Sequence, residues 1–295
     1  MKYFTKEWYQ LCQKTFAHLP LKESAEAESF SEEYFQRLYE EKLNEWLTLQ
    51  KDVAAVQFED IFPEEMNTDF ITEALSENEI LELKEEYRIN REAAKVKFEE
   101  RKPYDADKET ENFEKRFLYR LEEAGNLFPQ DILDMIADRR VFVLDVASKP
   151  VVAAVTKFCE GNRENIESTG EKYRDYYDKQ IVKLDKEAKY VFGNIQFHDC
   201  IIKEVRKSKQ KFVLLLDNSG GFTNIEEIRF ENYEIIKQEY PLEETWWLYE
   251  EVYYINGRYE VHALLLINNN VDRLVEFTIS AEQISFREGY KKFHF

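Results

Sequence analysis

The pattern of hydrophobic positions changes once along the chain, at about Gly193. Before that point apolar residues recur every three or four positions, as in Ile80, Leu83 and Tyr87, which is the spacing of one face of an α-helix. Beyond it, apolar residues form short runs or alternate with polar residues, which is typical of β-strands. The sequence therefore predicts a helical part followed by a strand-rich part.

Polar residues mark where two of the helices begin. Thr5 is a suitable N-cap for a first helix, because its side chain can accept a hydrogen bond from an unpaired backbone N–H of the first turn. Ser76 and Glu79 have the spacing of a capping box before a long, highly charged helix.

The stretch from Val141 to Val155 has a mixed pattern that fits buried strands as well as helices. Ser148 followed by Pro150 favours a helix N-terminus, so we predict two helices here. A last long helix is expected from about residue 165 to residue 190.

Two hairpins organise the strand-rich part. The first turns at Lys207–Gln210 and returns as Phe212–Leu216, which is apolar at every position and therefore predicts a strand covered on both faces. The second turns at Asn256-Gly257, the preferred dipeptide of a type I′ turn, in which both central residues need positive φ.

These patterns together predict an α+β protein of two domains. A helical bundle is expected over residues 1–190, packed on an antiparallel sheet over residues 191–295. The turn spacing predicts a meander of about five to seven strands.

The net charge of −19 is concentrated in the helical part. The first 190 residues hold 29 Lys+Arg and 43 Asp+Glu, and the remainder holds 12 and 17. Such a surface would repel the phosphates of nucleic acids and of anionic membranes, and it would suit a basic protein partner. Solvated faces of Glu/Lys-rich helices would give the same composition without any partner.

The remaining composition points to a reducing compartment. Cys12, Cys159 and Cys200 form no C-x-x-C pair. No secretory signal pattern is present near the start, and the longest aliphatic runs, such as Ala263–Ile267, are much too short to cross a bilayer. We therefore expect a cytoplasmic protein.

Candidate chemistry centres on His198, Asp199 and His262. An imidazole beside a carboxylate could bind a metal or move a proton, and the later histidine could meet the pair across the sheet. However, neighbours on a strand point to opposite faces unless a bulge re-aims one of them, so a structural role for the pair stays open. Motifs for phosphate loops, dinucleotide binding, zinc peptidases and nucleophile elbows are absent, so no cofactor or catalytic residue is predicted.

Several motifs resemble a known family. The start MKYFTKEWY, the middle run RVFVLDVASKPVVAAVTKFCEGN and the strand motifs FHDCIIKEV and YEVHALLLINN are similar to an uncharacterised bacterial family, domain of unknown function 4085. This resemblance implies no activity, cofactor or site residue. The His198-Asp199 pair opening a strand, with a second strand of the kind FVLLLD, also resembles a pattern in small bacterial proteins that include toxin-immunity proteins.

Three functional hypotheses follow from the sequence. The first is a non-enzymatic protein-binding module, in its most concrete form an immunity-type protein that neutralises a basic bacterial toxin. The alternative is a small-molecule or metal-dependent enzyme with a site at the helix/sheet junction near His198 and His262. The third is a structural oligomer joined through exposed aromatic residues, since the sequence leaves the oligomeric state open.

Overall fold

The computed structural model describes residues 1–66, 76–268, 270 and 273–289. The chain forms two compact units, one made of Met1–Leu19 together with Val155–Phe295 and the other of Pro20–Ala154. We call the second the helical unit and the first the sheet unit. The predicted boundary at residue 190 marks the change from helix to strand, and as a domain boundary it stays a prediction.

The helices within the described ranges follow the predicted helical part of the chain. They are α1 Lys6–Lys14, α2 Glu32–Ala55, α3 Phe58–Ile61, α4 Glu77–Glu99, α5 Ala106–Leu127, α6 Gln130–Leu133, α7 Arg139–Phe142, α8 Lys149–Ile181 and α9 Lys186–Asn194, with a short 3₁₀ helix at Ala25–Glu28. Thr5 caps α1 by accepting from the Trp8 N–H, and Ser76 with Glu79 forms a capping box at α4, so both predicted starts are confirmed.

The core of the helical unit lies between α2, α5 and the segment around α7. Its buried side chains come from the inner faces of these elements: Tyr34, Phe35, Leu38, Phe113, Val141, Leu144 and Val146. The short strands β1 Lys22–Glu23 and β2 Val146–Ala147 pair in parallel beside this core. Packing of aromatic and aliphatic side chains therefore holds α2 and α5 together.

The segment from Val141 to Val155 contains parts of two helices, as predicted. It forms the end of α7, the two-residue strand β2, which was not predicted, and the start of α8. The predicted helix start near Ser148 is confirmed, but α8 continues to Ile181 where a separate helix from about residue 165 was expected. Gly161 and Gly170 lie within α8 without ending it, since neither adopts positive φ.

The described strands of the sheet unit form one antiparallel sheet. They are β3 Ile201–Lys207, β4 Lys211–Asp217, β5 Ile225–Glu231, β6 Glu234–Gln238, β7 Thr245–Ile255, β8 Arg258–Ile267, β9 Leu274–Ala281 and β10 Gln283–Glu288. The order is β10-β5-β4-β3-β7-β8-β9-β6, so this sheet has eight strands, and β6 and β10 cross to opposite edges instead of continuing a simple meander. The α+β class is confirmed.

Both predicted hairpins are present. The first joins β3 to β4, and the second joins β7 to β8 through Asn256 and Gly257, whose φ angles are 52° and 79°. Positive φ at both positions confirms the type I′ geometry.

One face of the sheet carries the main core, where α9 and the end of α8 pack on it. Phe212, Leu214 and Leu216 of β4 belong to this core, whereas Val213 and Leu215 between them are only partly buried. β4 is therefore fully covered on one face and partly covered on the other, so the predicted coverage of both faces is confirmed only in part. On the opposite face a smaller cluster joins α1 to β7 and β8 through Trp8, Tyr9, Leu248 and Leu264.

Candidate functional site

His198 and Asp199 lie in the irregular segment just before β3, and they come together. Asp199 has φ of +64°, a left-handed conformation that turns its side chain away from the direction expected in a regular strand. As a result, His198 Nε2 lies 3.6 Å from Asp199 Oδ2, with both side chains about two-fifths exposed at 42% and 39%. The His198 Nδ1 contacts the Leu248 carbonyl oxygen, and its ring lies against Tyr249.

His262 lies on β8 and has different partners. Its Nε2 is 2.6 Å from Glu260 Oε1, and its Nδ1 is 3.4 Å from the Thr278 hydroxyl. Tyr253 packs edge-on against the ring. Hydrogen bonds thus hold both imidazole nitrogens within the sheet.

The two histidines contact β7 at different places. His198 bonds to Leu248, whereas His262 is paired in register with Glu251, three residues further along the same strand. Three residues correspond to about 10 Å of strand. Within the described ranges no three His, Cys, Asp or Glu side chains converge to hold a metal. An enzyme site near His198 and His262 stays a prediction.

Glu251 is a buried carboxylate that the sequence patterns did not single out. Its side chain is 0% exposed and accepts hydrogen bonds from the backbone N–H groups of Lys2, Tyr3 and Phe4 at 2.7–3.1 Å. The Tyr253 hydroxyl adds a fifth bond of 2.6 Å. A buried carboxylate with this many donors is well satisfied and fixes the first residues onto the sheet.

The neighbouring Glu250 points to the other face of β7. Its Oε2 accepts from the Trp247 indole N–H at 2.7 Å and from the Phe197 N–H at 3.5 Å. Burial raises the pKa of Glu250 from 4.5 to about 7, although these two hydrogen bonds favour the ionised form. The signal that could have drawn attention to both residues is an acidic pair within the otherwise aromatic and aliphatic strand WLYEEVYYI.

The cysteine thiols are held in their neutral form. Burial raises the pKa of Cys200 to about 12 and that of Cys12 to about 11. Since the thiolate is the reactive species, these side chains are weak nucleophiles at neutral pH. Cys200 is fully buried in the core of the sheet unit, whereas Cys12 is partly buried.

The acidity of the protein is confined almost entirely to the helical unit. Residues 20–154 hold 34 Asp+Glu and 18 Lys+Arg, a net charge of −16, whereas the sheet unit holds 26 and 23, a net charge of −3. The two units therefore differ more in net charge than do the parts of the chain before and after residue 190. The sheet unit is close to electrically balanced.

Within the helical unit, α2 presents an exposed face that combines carboxylates with apolar side chains. We call Glu41, Glu45, Leu49, Asp52 and Val53 the acidic face, since steps of three and four residues place them along one side of the helix. Leu49 is 55% exposed and Val53 51% exposed. Glu45 pairs with Lys42 at 2.7 Å, while Glu41 and Asp52 show no ion pair within the described part of the chain. The face is therefore negatively charged around an apolar centre.

Comparisons with known proteins give one match. The model of a family described as protein of unknown function (DUF4085) matches residues 93–280. No curated protein and no solved structure matches the chain significantly. Among the described residues, no helix has the length and apolar character needed to cross a membrane.

Proposed function

Because the chain belongs to the DUF4085 family, whose description carries no activity, we propose a function from its surface: it is a non-enzymatic protein that binds a basic protein partner through the acidic face. The observation that carries this proposal is the coincidence of uncompensated carboxylates and exposed aliphatic side chains on α2. This helix belongs to the helical unit, which holds −16 of the net charge of −19.

Charge complementarity selects the partner. The field of the helical unit would attract a basic protein and raise its association rate, and it would repel acidic competitors. Leu49 and Val53 would form an apolar centre that becomes desolvated on contact, with Glu41 and Asp52 in a polar rim. A chain that bound only through diffuse charge would not need exposed aliphatic groups between the carboxylates.

The most specific form of this proposal is an immunity-type protein that neutralises a basic toxin. Its support is the charge of the helical unit and the resemblance of the strand that follows His198 and Asp199 to a pattern in small bacterial proteins that include toxin-immunity proteins. Neutralisation would follow from occupancy, because a partner covered by the acidic face could not present its own basic surface to nucleic acid or membrane.

The test compares two charge reversals of equal size. One variant carries Glu41→Lys and Asp52→Lys on the acidic face, and the control carries Glu164→Lys and Glu171→Lys on the exposed side of α8 in the sheet unit. Each changes the net charge by the same amount, so bulk electrostatics are matched. Wild type and both variants are used for affinity capture of proteins from a cell extract. A captured protein is then purified, and its binding to wild type and to each variant is measured by titration calorimetry.

We expect a basic protein that binds wild type and the α8 control with similar affinity and binds the acidic-face variant at least about tenfold more weakly. Raising the salt from about 0.1 M to about 1 M, which shortens the Debye length from about 10 Å to about 3 Å, should also weaken binding. Equal loss in both variants would show that only bulk charge matters. Retention of no protein, or salt-insensitive binding, would also contradict the proposal.

A further inference from the structure

A second feature of the helical unit is a cavity between α2, α5 and the segment after α7. Its volume is about 240 Å³, and it has an apolar floor formed by Trp46, Phe113, Phe117, Val143 and Leu144. Glu45 and Leu49 of the acidic face also line it, whereas Glu41 and Asp52 do not. Aromatic surface of this extent in a concave site is the usual lining of a small-molecule pocket.

The charged groups at the cavity largely neutralise one another in pairs. Lys42 lies 2.7 Å from Glu45, and the Arg120 guanidinium makes two hydrogen bonds with Asp145, at 2.5 and 3.2 Å. Asp145 has φ of +65°, and this left-handed conformation holds its carboxylate against Arg120. These two pairs leave no net charge for a ligand to meet.

Arg116 is the exception. It lines the cavity one helical turn before Arg120 and has no carboxylate partner within the described ranges. Its guanidinium lies over the Trp46 ring, 5.6 Å from the centroid. Since a guanidinium has five donors and prefers planar oxyanions, an uncompensated Arg116 beside an aromatic floor is a carboxylate-binding arrangement.

Trp46 gives an independent observation. Its indole Nε1 is buried and has no hydrogen-bond partner among the residues that the structure describes. A buried donor without a partner is unfavourable because its desolvation is not compensated, so such groups are uncommon and call for an explanation. Here the unpaired donor belongs to a residue that also lines the cavity and contacts Arg116.

We propose that this cavity binds a small aromatic monocarboxylate. The apolar body of the ligand would lie on Trp46, Phe113 and Phe117, and its carboxylate would form charge-assisted hydrogen bonds with Arg116. One negative charge matches the one uncompensated cation. A phosphate or dicarboxylate would carry excess charge into a unit of net charge −16, and a cationic ligand would meet Arg116 directly.

The experiment is a titration of the ¹⁵N-labelled full chain with each probe, monitored by nuclear magnetic resonance. The four tryptophans give four indole N–H signals, and the Trp46→Phe variant identifies the signal of Trp46. The probes are benzoate and phenylacetate, with neutral benzamide and cationic benzylamine as matched controls. The variants are Arg116→Gln and the control Lys115→Gln, whose side chain is 73% exposed and does not line the cavity.

We expect saturable movement of the Trp46 indole signal with the two carboxylates, and affinity reduced at least about tenfold for benzamide and in the Arg116→Gln variant. Lys115→Gln should bind as wild type does. The proposal is overturned if neither carboxylate moves the Trp46 signal, if benzamide binds as well as benzoate, or if Arg116→Gln has no effect. Because Arg116 and Lys115 are exposed, both variants should fold, and the same spectra verify this.

Discussion

The carboxylate of Glu251 accepts a 2.7 Å hydrogen bond from the backbone N–H of Tyr3, which lies 248 positions away in sequence. The N–H groups of Lys2 and Phe4 donate to the same carboxylate. One buried side chain on β7 therefore satisfies three consecutive backbone donors of the segment that leads into α1. The Glu251 carboxylate therefore helps to attach this segment to the sheet.

Glu251→Gln should lower the free energy of unfolding by about 2 kcal/mol. The amide keeps the shape of the side chain but replaces one acceptor oxygen with an NH₂ group. In place of Oε1 this group would face the backbone donors of Tyr3 and Phe4, and in place of Oε2 it would face that of Lys2. Urea denaturation of wild type and variant measures the difference. Glu243→Gln, at an exposed position, is the control and should be neutral. Equal stability of all three proteins would show that these bonds contribute nothing net.

The raised pKa of Glu250 should make the stability of the protein depend on pH. Its pKa is raised from 4.5 to about 7 in the folded protein, so between these values the folded state binds more protons than the unfolded state. The free energy of unfolding therefore falls as the pH rises through this window. The contribution should be about 2 kcal/mol, smaller than the full shift would give, because the side chain is only partly buried.

Glu250→Gln should remove this contribution. Subtracting its unfolding free energy from that of wild type, measured in urea at several pH values from about 4 to 8, isolates the titration of this one group. We expect wild type to be the more stable protein at low pH and to lose stability relative to the variant as the pH rises to about 7. A difference that does not change with pH would show that Glu250 has an ordinary pKa.

Features set by local backbone chemistry could be predicted from the sequence. The Asn256-Gly257 turn and the caps at Thr5 and Ser76 depend on residues within a few positions of one another, and all three have the expected geometry. The helix-then-strand division of the chain follows equally from short-range periodicity. Each turn or cap signal has a direct physical cause, since only certain residues accept positive φ or offer a capping oxygen.

Features that depend on distant packing could not be predicted in this way. An unbroken apolar run such as Phe212–Leu216 does not show how completely each face of a strand is covered, and here one face is buried and the other only partly buried. Glu251 meets its partners across most of the chain, and Arg120 meets Asp145 across 25 positions. The contact between His198 and Asp199 needed a left-handed residue at Asp199, which periodicity cannot indicate.

Gly221 packs closely against the segment at the start of β3, where there is little room for a side chain. A Cβ atom at this position would lie 2.5 Å from the Sγ of Cys200 and 3.0 Å from the carbonyl oxygen of His198. Cys200 is 0% exposed, so its sulfur has little room to move. Gly221→Ala should therefore lower the free energy of unfolding by about 2 kcal/mol through overpacking.

Removing the sulfur should relieve much of this cost. Cys200→Ala alone loses buried volume and should destabilise by about 1 kcal/mol, but the double variant should be more stable than the sum of the two single effects by about 1 kcal/mol or more. Gly161→Ala is the control, because nothing lies within 4 Å of its added Cβ and alanine favours the interior of α8. Strict additivity in the denaturation cycle would mean that the close approach of Gly221 to Cys200 does not limit side-chain size there. A favourable coupling would identify this contact as the reason that the turn after β4 requires glycine.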